Sequence, residues 1–151
     1  MSPGLEFIRV SLLALIMPNI SEIEVMEKIL VVDDDARSLK NIAYFLRTEG
    51  YEVDEASDGN EAAHLLDEDG FDLVLSDVIM PGLNGLHLLE HTRSVAPEIP
   101  VVLMSGLPNI ELDQIIRRGA ADFIMKPLEL DELLSKVKRS LKQKSHTCSK
   151  S

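Results

Sequence analysis

Residues 29–35 of the chain read ILVVDDD, four branched apolar residues followed by three aspartates. The apolar run is too short for a helix and too uniformly apolar for a strand with one face in water. Such a pattern is typical of a strand that is buried on both faces, as in a parallel sheet covered by helices on each side. We therefore predict a buried parallel strand at 29–32 with three carboxylates at its carboxyl end.

The same alternation of apolar runs and helical patterns continues from this strand to about residue 142. Leu39, Ile42, Ala43 and Leu46 have the spacing of one buried helix face, and Gly50 is the residue type that commonly ends a helix. Five strand–helix units in succession predict a parallel sheet with right-handed crossover helices. The predicted strands are 29–32, 53–56, 73–76, 101–104 and 122–125. The predicted helices lie around 39–46, 59–67, 85–95, 112–118 and 133–141.

The composition and net charge limit the classes of protein to which this chain can belong. A chain of 151 residues with 45% hydrophobic and 27% charged residues fits one globular domain. The formal net charge of −11 argues against direct nucleic-acid binding, which needs clustered Lys and Arg, and it favours cations and basic partner surfaces. The single Cys148 cannot form an intramolecular disulfide, so a reducing cytosol is the default compartment.

The chain divides into three stretches. Residues 26–144 are predicted to form the one domain, because MEKILVVDDD from Met26 resembles a natural start. We predict that residues 1–25 are a tag, an upstream mis-start or an extra N-terminal segment; their apolar run at 10–17 is too short to span a membrane and lacks the features of a signal peptide. Residues 145–151 are predicted to be a polar tail or the start of a linker.

Acidic and polar side chains fall at the carboxyl ends of the predicted strands, where a doubly wound sheet forms its binding crevice. The residues at these ends are Asp33, Asp34 and Asp35 after the first strand, Asp77 after the third, Ser105 at the end of the fourth and Lys126 at the end of the fifth. Converging carboxylates repel one another unless a cation is present, and Mg²⁺ prefers oxygen ligands. Lys126 can pair with a carboxylate or phosphoryl oxygen, and Ser105 offers a hydroxyl. Together these groups predict a phosphoryl-transfer site with an aspartate acceptor, whereas Asp35 is predicted to cap the following helix.

The sequence resembles the receiver domains of bacterial two-component response regulators in four blocks along residues 28–142. The blocks are ILVVDDD at 29–35, DLVLSDVIMPGLNG at 72–85, VVLMSG at 101–106 and GAADFIMKP at 119–127. The resemblance implies a flavodoxin-like, doubly wound α/β fold. Its five-stranded parallel sheet would have strand order 2-1-3-4-5 and be flanked by five helices.

The resemblance also implies a role for each residue of the acidic site. Asp77 would accept the phosphoryl group from the phosphohistidine of a sensor histidine kinase or phosphotransfer protein. Asp33, Asp34, Asp77 and the backbone carbonyl of Ile79 would bind Mg²⁺ or Mn²⁺. Lys126 would contact the phosphoryl group.

Three further features follow from the resemblance. The peptide bond to Pro127 would be cis. Ser105 would move toward the phosphoryl group, and Phe123 would turn inward behind it. That movement would remodel the face formed by the fourth helix, fifth strand and fifth helix, and so control an output domain, a homodimer partner or another protein. The domain would act in the cytoplasm as a phosphoryl-accepting switch and not as an enzyme with a separate substrate.

The chain departs from the family pattern at two positions near the site, and two further residues bear on the lifetime of the phosphoryl group. Gly106 stands where alanine is frequent, which loosens the loop after the fourth strand. Phe123 has no hydroxyl, so a hydrogen bond of the tyrosine type cannot hold it in an outward position. Ile79 and Leu107 offer no hydrogen bond to orient an attacking water, and we therefore expect slow self-dephosphorylation.

Three alternatives stay open at this point. Residues 87–91 (HLLEH) fit the H-x-x-E-H pattern of one class of zinc metalloproteases, although the plainer interpretation has Leu86 and Leu89 in a buried stripe with the histidines outside it. An aspartate-nucleophile phosphohydrolase would usually carry a second aspartate where Ile79 stands. A degenerate receiver would act only as an interaction surface.

Overall fold

The computed structural model describes residues 26–68, 70–107 and 112–149, and for residues 144–149 it describes the backbone only. In chain order the elements are β1 (Lys28–Val32), α1 (Ala36–Thr48), β2 (Glu52–Ala56), α2 (Gly59–Glu68), β3 (Leu73–Asp77), α3 (Gly85–Val95), β4 (Val101–Ser105), α4 (Leu112–Arg117), β5 (Asp122–Met125) and α5 (Leu130–Ser149). The segment 1–25, with its apolar run, and the side chain of Cys148 lie outside the described residues. The last helix extends into the stretch predicted as a tail or linker.

The five strands form one parallel sheet in the order β2-β1-β3-β4-β5. This is the predicted doubly wound order, and all five predicted strands and five predicted helices are present. β3 extends one residue beyond the prediction, so that Asp77 is the last residue of the strand and pairs in register with Met104. The acceptor candidate is therefore held by the sheet itself.

The apolar strands face both ways into two hydrophobic layers. Successive strand residues point to opposite faces of a sheet, so Ile29 and Val31 pack with α1 and α5 while Leu30 and Val32 pack with α2, α3 and α4. All four of these side chains are fully buried. The absence of polar alternation in the sequence of β1 is thus explained by helices on both faces.

Helix α1 begins and ends as its sequence predicts. The carboxylate of Asp35 accepts a hydrogen bond from the backbone N–H of Arg37 at 3.1 Å, which confirms its capping role. At the other end Gly50 has φ of +97°, a left-handed conformation in which a side chain would be strained. Among the described residues, no helix is long and apolar enough to cross a membrane.

Candidate functional site

The site lies at the carboxyl ends of β1, β3 and β5, and one lysine joins two of its acids. The ammonium of Lys126 donates to Asp33 Oδ2 at 3.0 Å and to Asp77 Oδ2 at 3.1 Å. Lys126 follows β5, and its long side chain extends past the end of β4 to the acids at the ends of β1 and β3. The second oxygen of Asp33 accepts from the backbone N–H of Asp35 at 3.0 Å, so both oxygens of this carboxylate are oriented.

The three carboxylates of the predicted metal site come together. Asp33, Asp34 and Asp77 each present an oxygen, and these atoms all lie within 4.8 Å of one another. Asp33 is fully buried, the side chain of Asp77 is 12% exposed and Asp34 is open to solvent. With Lys126 counted, the cluster carries two excess negative charges. Hard oxygen donors, excess negative charge and one solvent-facing ligand suit Mg²⁺, which keeps several of its waters.

The pKa values of the groups in this cluster depend on their burial and on the charge of Lys126. Burial raises the pKa of Asp77 above its ordinary value, and the neighbouring charge of Asp33 raises it further. The charge and hydrogen bond of Lys126, together with the backbone N–H of Ile79, act in the opposite direction. For Lys126, burial lowers the pKa, but Asp33 and Asp77 outweigh it and the net pKa is raised. Lys126 therefore stays protonated beside the acids.

The backbone around Asp77 is packed against the start of α3. A Cβ atom added to Gly85 would lie 2.3 Å from the carbonyl oxygen of Asp77 and 2.8 Å from the Cα of Val78. The N–H of Gly85 donates to the carbonyl of Val78 at 2.9 Å. The carboxamide of Asn84 caps α3 by accepting from the N–H groups of Leu86 and His87. Sequence reasoning did not identify these supporting roles, although Asn before a helix is a known capping signal.

The predicted switch residues lie beside the acids. Ser105 is buried at the end of β4, and its hydroxyl accepts from the N–H of Leu107 at 3.1 Å. Phe123 is buried in the layer that also contains Leu103 and Ala120. Ile79 and Leu107 are 53% and 47% exposed.

A surface groove continues from the site along α1. The peptide bond between Lys126 and Pro127 is cis, and the loop that it begins forms one wall of the groove. The other wall is α1, which contributes Arg37, Tyr44 and Phe45.

In the H-x-x-E-H residues of α3, Glu90 and His91 contact different neighbouring elements. His91 Nε2 lies 3.1 Å from Asp67 Oδ1 of α2, whereas the carboxylate of Glu90 lies 3.8 Å from the guanidinium of Arg118, beyond α4. The glutamate therefore points away from His91 and pairs with an arginine, so it is not placed as a protease base. The buried pair of this helix is Leu88 and Leu89; Leu86, which was predicted to be buried, is only partly so because it lies at the edge of the layer.

Comparisons with known proteins give one consistent result. Residues 29–138 match the family model described as the response regulator receiver domain. The uncharacterized transcriptional regulatory protein YkoG of Bacillus subtilis is 36% identical over 122 residues, which are 78% of this chain and 53% of that protein. The chain spans about half or less of the length of the curated relatives it matches.

Solved structures agree with the sequence comparisons. The receiver domain of NtrX from Brucella abortus has a TM-score of 0.72 and 40% identity, and the match covers 76% of this chain and 98% of that one. A CheY-like receiver domain protein from Methanospirillum hungatei has a TM-score of 0.76 and 30% identity, with coverage of 82% and 99%.

Proposed function

The chain belongs to the response regulator receiver domain family, and we propose that it is a magnesium-dependent switch in which Asp77 accepts a phosphoryl group. The observation that carries the proposal is the position of Lys126, which is hydrogen-bonded to both Asp33 and Asp77. A structural ion pair would need only one of these acids. A lysine between an acceptor and a metal ligand is placed to bind a phosphoryl oxygen as well.

The reaction is a phosphoryl transfer between two side chains. A carboxylate oxygen of Asp77 forms a bond to phosphorus while the bond from phosphorus to the imidazole nitrogen of the partner's phosphohistidine breaks, and the histidine nitrogen then takes up a proton. Mg²⁺ held by Asp33, Asp34, Asp77 and the carbonyl of Ile79 would neutralise charge on the phosphoryl oxygens. Lys126 moves its hydrogen bond from Asp77 to one of these oxygens. Acceptance of the phosphoryl group, from the partner or from a small donor, and self-dephosphorylation are the only chemistry we assign to this chain.

The response follows from the position of Ser105. Its hydroxyl now accepts from Leu107, and turning toward the acceptor would let it donate to a phosphoryl oxygen instead. The loop after β4 would be drawn along, and with it the face of α4, β5 and α5, where Leu112, Ile116 and Met125 are exposed. Phe123, which is buried, would fill the space behind the moved loop.

The partners we propose are those of a two-component pathway. A sensor histidine kinase or phosphotransfer protein in the cytoplasm would supply the phosphoryl group, and an output domain or a second copy would read the altered face. The relatives are longer than this chain, which is consistent with a separate output region. A degenerate receiver is not favoured, because the acids, the hydroxyl and the lysine are all present.

Intact-mass measurement after incubation with acetyl phosphate and Mg²⁺ tests the proposal. We expect the mass of one phosphoryl group on the wild-type chain, and none on Asp77→Ala or when Mg²⁺ is removed with a chelator. Asp35→Asn is the matched control, because Asp35 lies at the same rim but caps α1 and is outside the acid cluster; it should be labelled like the wild type. Absence of label on the wild-type chain with every donor would instead favour the degenerate receiver.

A further inference from the structure

Helices α2 and α3 carry a group of metal-ligand side chains that the proposed switch does not use. We infer that His87, His91 and Asp67 form a binding site for a divalent transition metal of the Zn²⁺ or Ni²⁺ type. The site lies on the outside of the layer formed by α2, α3 and α4, with His87 in the first turn of α3 and His91 one turn further from the strand ends. The inference does not depend on the proposed function.

A nitrogen of His91 and a carboxylate oxygen of Asp67 are almost as far apart as two ligand atoms bound to one metal ion. Its Nε2 and Oδ1 atoms are 3.1 Å apart. Zinc holds nitrogen and oxygen ligands at about 2.0–2.1 Å in tetrahedral geometry, which separates two ligand atoms by roughly 3.3 Å. A small shift, in which both side chains also turn so that each ligand atom faces a common point, would therefore admit the ion in place of the shared proton. Both side chains are partly exposed, at 30% and 52%, so the shift meets little resistance.

His87 is placed to supply the third ligand. It precedes His91 by four residues on α3, and residues at this spacing share one helix face. The backbone N–H of His87 is held by the Asn84 cap, while the residue is exposed to solvent. A rotation is required, because the three ligand atoms are not yet mutually within 4.8 Å.

The neighbouring helix leaves room for this rotation. Crossover helices of a parallel sheet run in the same direction, so the turn before Asp67 on α2 lies beside the turn before His91 on α3. That turn of α2 carries Ala63, whose methyl group is small, and His64, which is directed along its own helix toward Glu68. The ring of His87 can therefore move toward the pair without meeting a large side chain.

The donor set determines which ion binds. Two imidazoles and one carboxylate suit Zn²⁺, Ni²⁺ or Cu²⁺, whereas Mg²⁺ prefers oxygen donors. The two metal sites of the chain are thus chemically separate, and excess Mg²⁺ will block the acid cluster without filling this one. A bound ion would join α2 to α3 and raise the free energy of unfolding in proportion to its occupancy.

Calorimetric titration with Zn²⁺ in excess Mg²⁺ tests the inference on the full chain. We expect one strong site on the wild type, with His87→Ala and His91→Ala each binding more than about tenfold more weakly, since loss of even an outer partner of a metal ligand costs roughly 10- to 100-fold in affinity. The thermal unfolding midpoint should rise with Zn²⁺ in the wild type and not in the two variants. Circular dichroism spectra and unfolding midpoints like those of the wild type in the absence of Zn²⁺ will show that both variants are folded.

Two controls use the other ligand-type residues of the chain. His64→Ala removes the exposed histidine of α2, which pairs with Glu68 on the same helix, and it should bind Zn²⁺ like the wild type. The double variant His146→Ala, Cys148→Ser removes the remaining histidine and the only cysteine and should also bind normally. Absence of Zn²⁺ binding to the wild type, loss of binding in this double variant, or unchanged affinity in His87→Ala and His91→Ala would each overturn the inference.

Discussion

The two halves of the rim at the strand ends differ in how firmly they are packed. We call the region of Asp33, Asp77 and Gly85 the acceptor side. On this side the acids are buried, Lys126 joins them, and α3 starts in close contact with the backbone of Asp77. We call the loop after β4, together with α4 and the end of β5, the response side. Here Leu107, Leu112, Ile116 and Met125 are each about half exposed.

The difference indicates a division of labour. Phosphoryl transfer depends on reacting atoms that are held in place, so the acceptor side benefits from burial and close packing. A surface that changes on phosphorylation must instead be able to move at low cost, and segments with few buried contacts open most easily. Of the described residues of α4, only Ile115 is buried. The same domain thus combines a rigid chemical site with a loosely packed reporter.

A pair of leucine substitutions should give the largest contrast between the two sides. Leu75 lies on β3 two residues before Asp77 and is fully buried, so Leu75→Ala should lower the free energy of unfolding by about 2–5 kcal/mol. Leu112 is about half exposed on α4, and Leu112→Ala should change the free energy of unfolding by less than about 0.5 kcal/mol. Urea unfolding measures both. Similar losses in the two variants would mean that α4 is packed as tightly as the sheet.

This contrast also separates what the sequence predicts from what it does not. The strands and the convergence of Asp33, Asp34 and Asp77 follow from local patterns, because apolar runs and strand ends are visible in short windows. The degree of burial does not, and nothing local distinguishes buried Asp33 from exposed Asp34. The bonds of Lys126 span 93 and 49 residues. Such pairings, like the burial of Phe123, arise from the packing of the whole sheet.

Alanine substitutions at two glycines test whether the backbone is packed more closely on the acceptor side than on the response side. A Cβ at Gly85 would lie 2.3 Å from the carbonyl oxygen of Asp77, so Gly85→Ala should cost about 1–3 kcal/mol by overpacking and slow phosphorylation by displacing Asp77. At Gly106, on the response side, the nearest atom would be the Cβ of Lys126 at 3.5 Å, an ordinary contact. Gly106→Ala should therefore leave stability unchanged or raise it by about 0.4–1 kcal/mol.

Urea unfolding and the rate of labelling by acetyl phosphate measure the two glycine variants. Equal losses of stability and of labelling rate in the two variants would contradict the proposed difference in packing between the acceptor side and the response side. Rapid labelling of Gly85→Ala at normal stability would contradict the close packing of α3 on Asp77.

The lifetime of the phosphoryl group should depend on the response side. Leu107 is about half exposed near the site and cannot orient a water. An amide there could, and one hydrogen bond is worth about 0.5–1.5 kcal/mol, which corresponds to roughly a two- to tenfold faster loss of the label. Leu107→Asn should therefore shorten the lifetime measured by intact mass, and Leu107→Met should preserve it. Loss of the wild-type label within seconds would refute slow self-dephosphorylation.

Removing the charge of Asp77 should have the smallest effect, a gain in stability. Burial raises the pKa of this carboxyl, although Lys126 and the N–H of Ile79 offset part of the cost. A group whose pKa is higher in the folded state favours folding below its unfolded pKa and loses that contribution as the pH rises through the folded value. Ionised Asp77 is therefore unfavourable at neutral pH in the absence of metal, and Asp77→Asn should be more stable there.

The dependence on pH and metal distinguishes this electrostatic gain from a packing effect. In urea unfolding with a chelator present, the advantage of Asp77→Asn should shrink as the pH falls toward the ordinary aspartate value, because the wild-type carboxyl then becomes neutral too. With Mg²⁺ present, the wild type should become more stable than Asp77→Asn. The ion stabilises the folded wild type by binding the carboxylate of Asp77, and the amide of the variant is a weaker ligand. An advantage that is independent of both pH and Mg²⁺ would indicate that the amide packs better, and that the acceptor side is not under electrostatic strain.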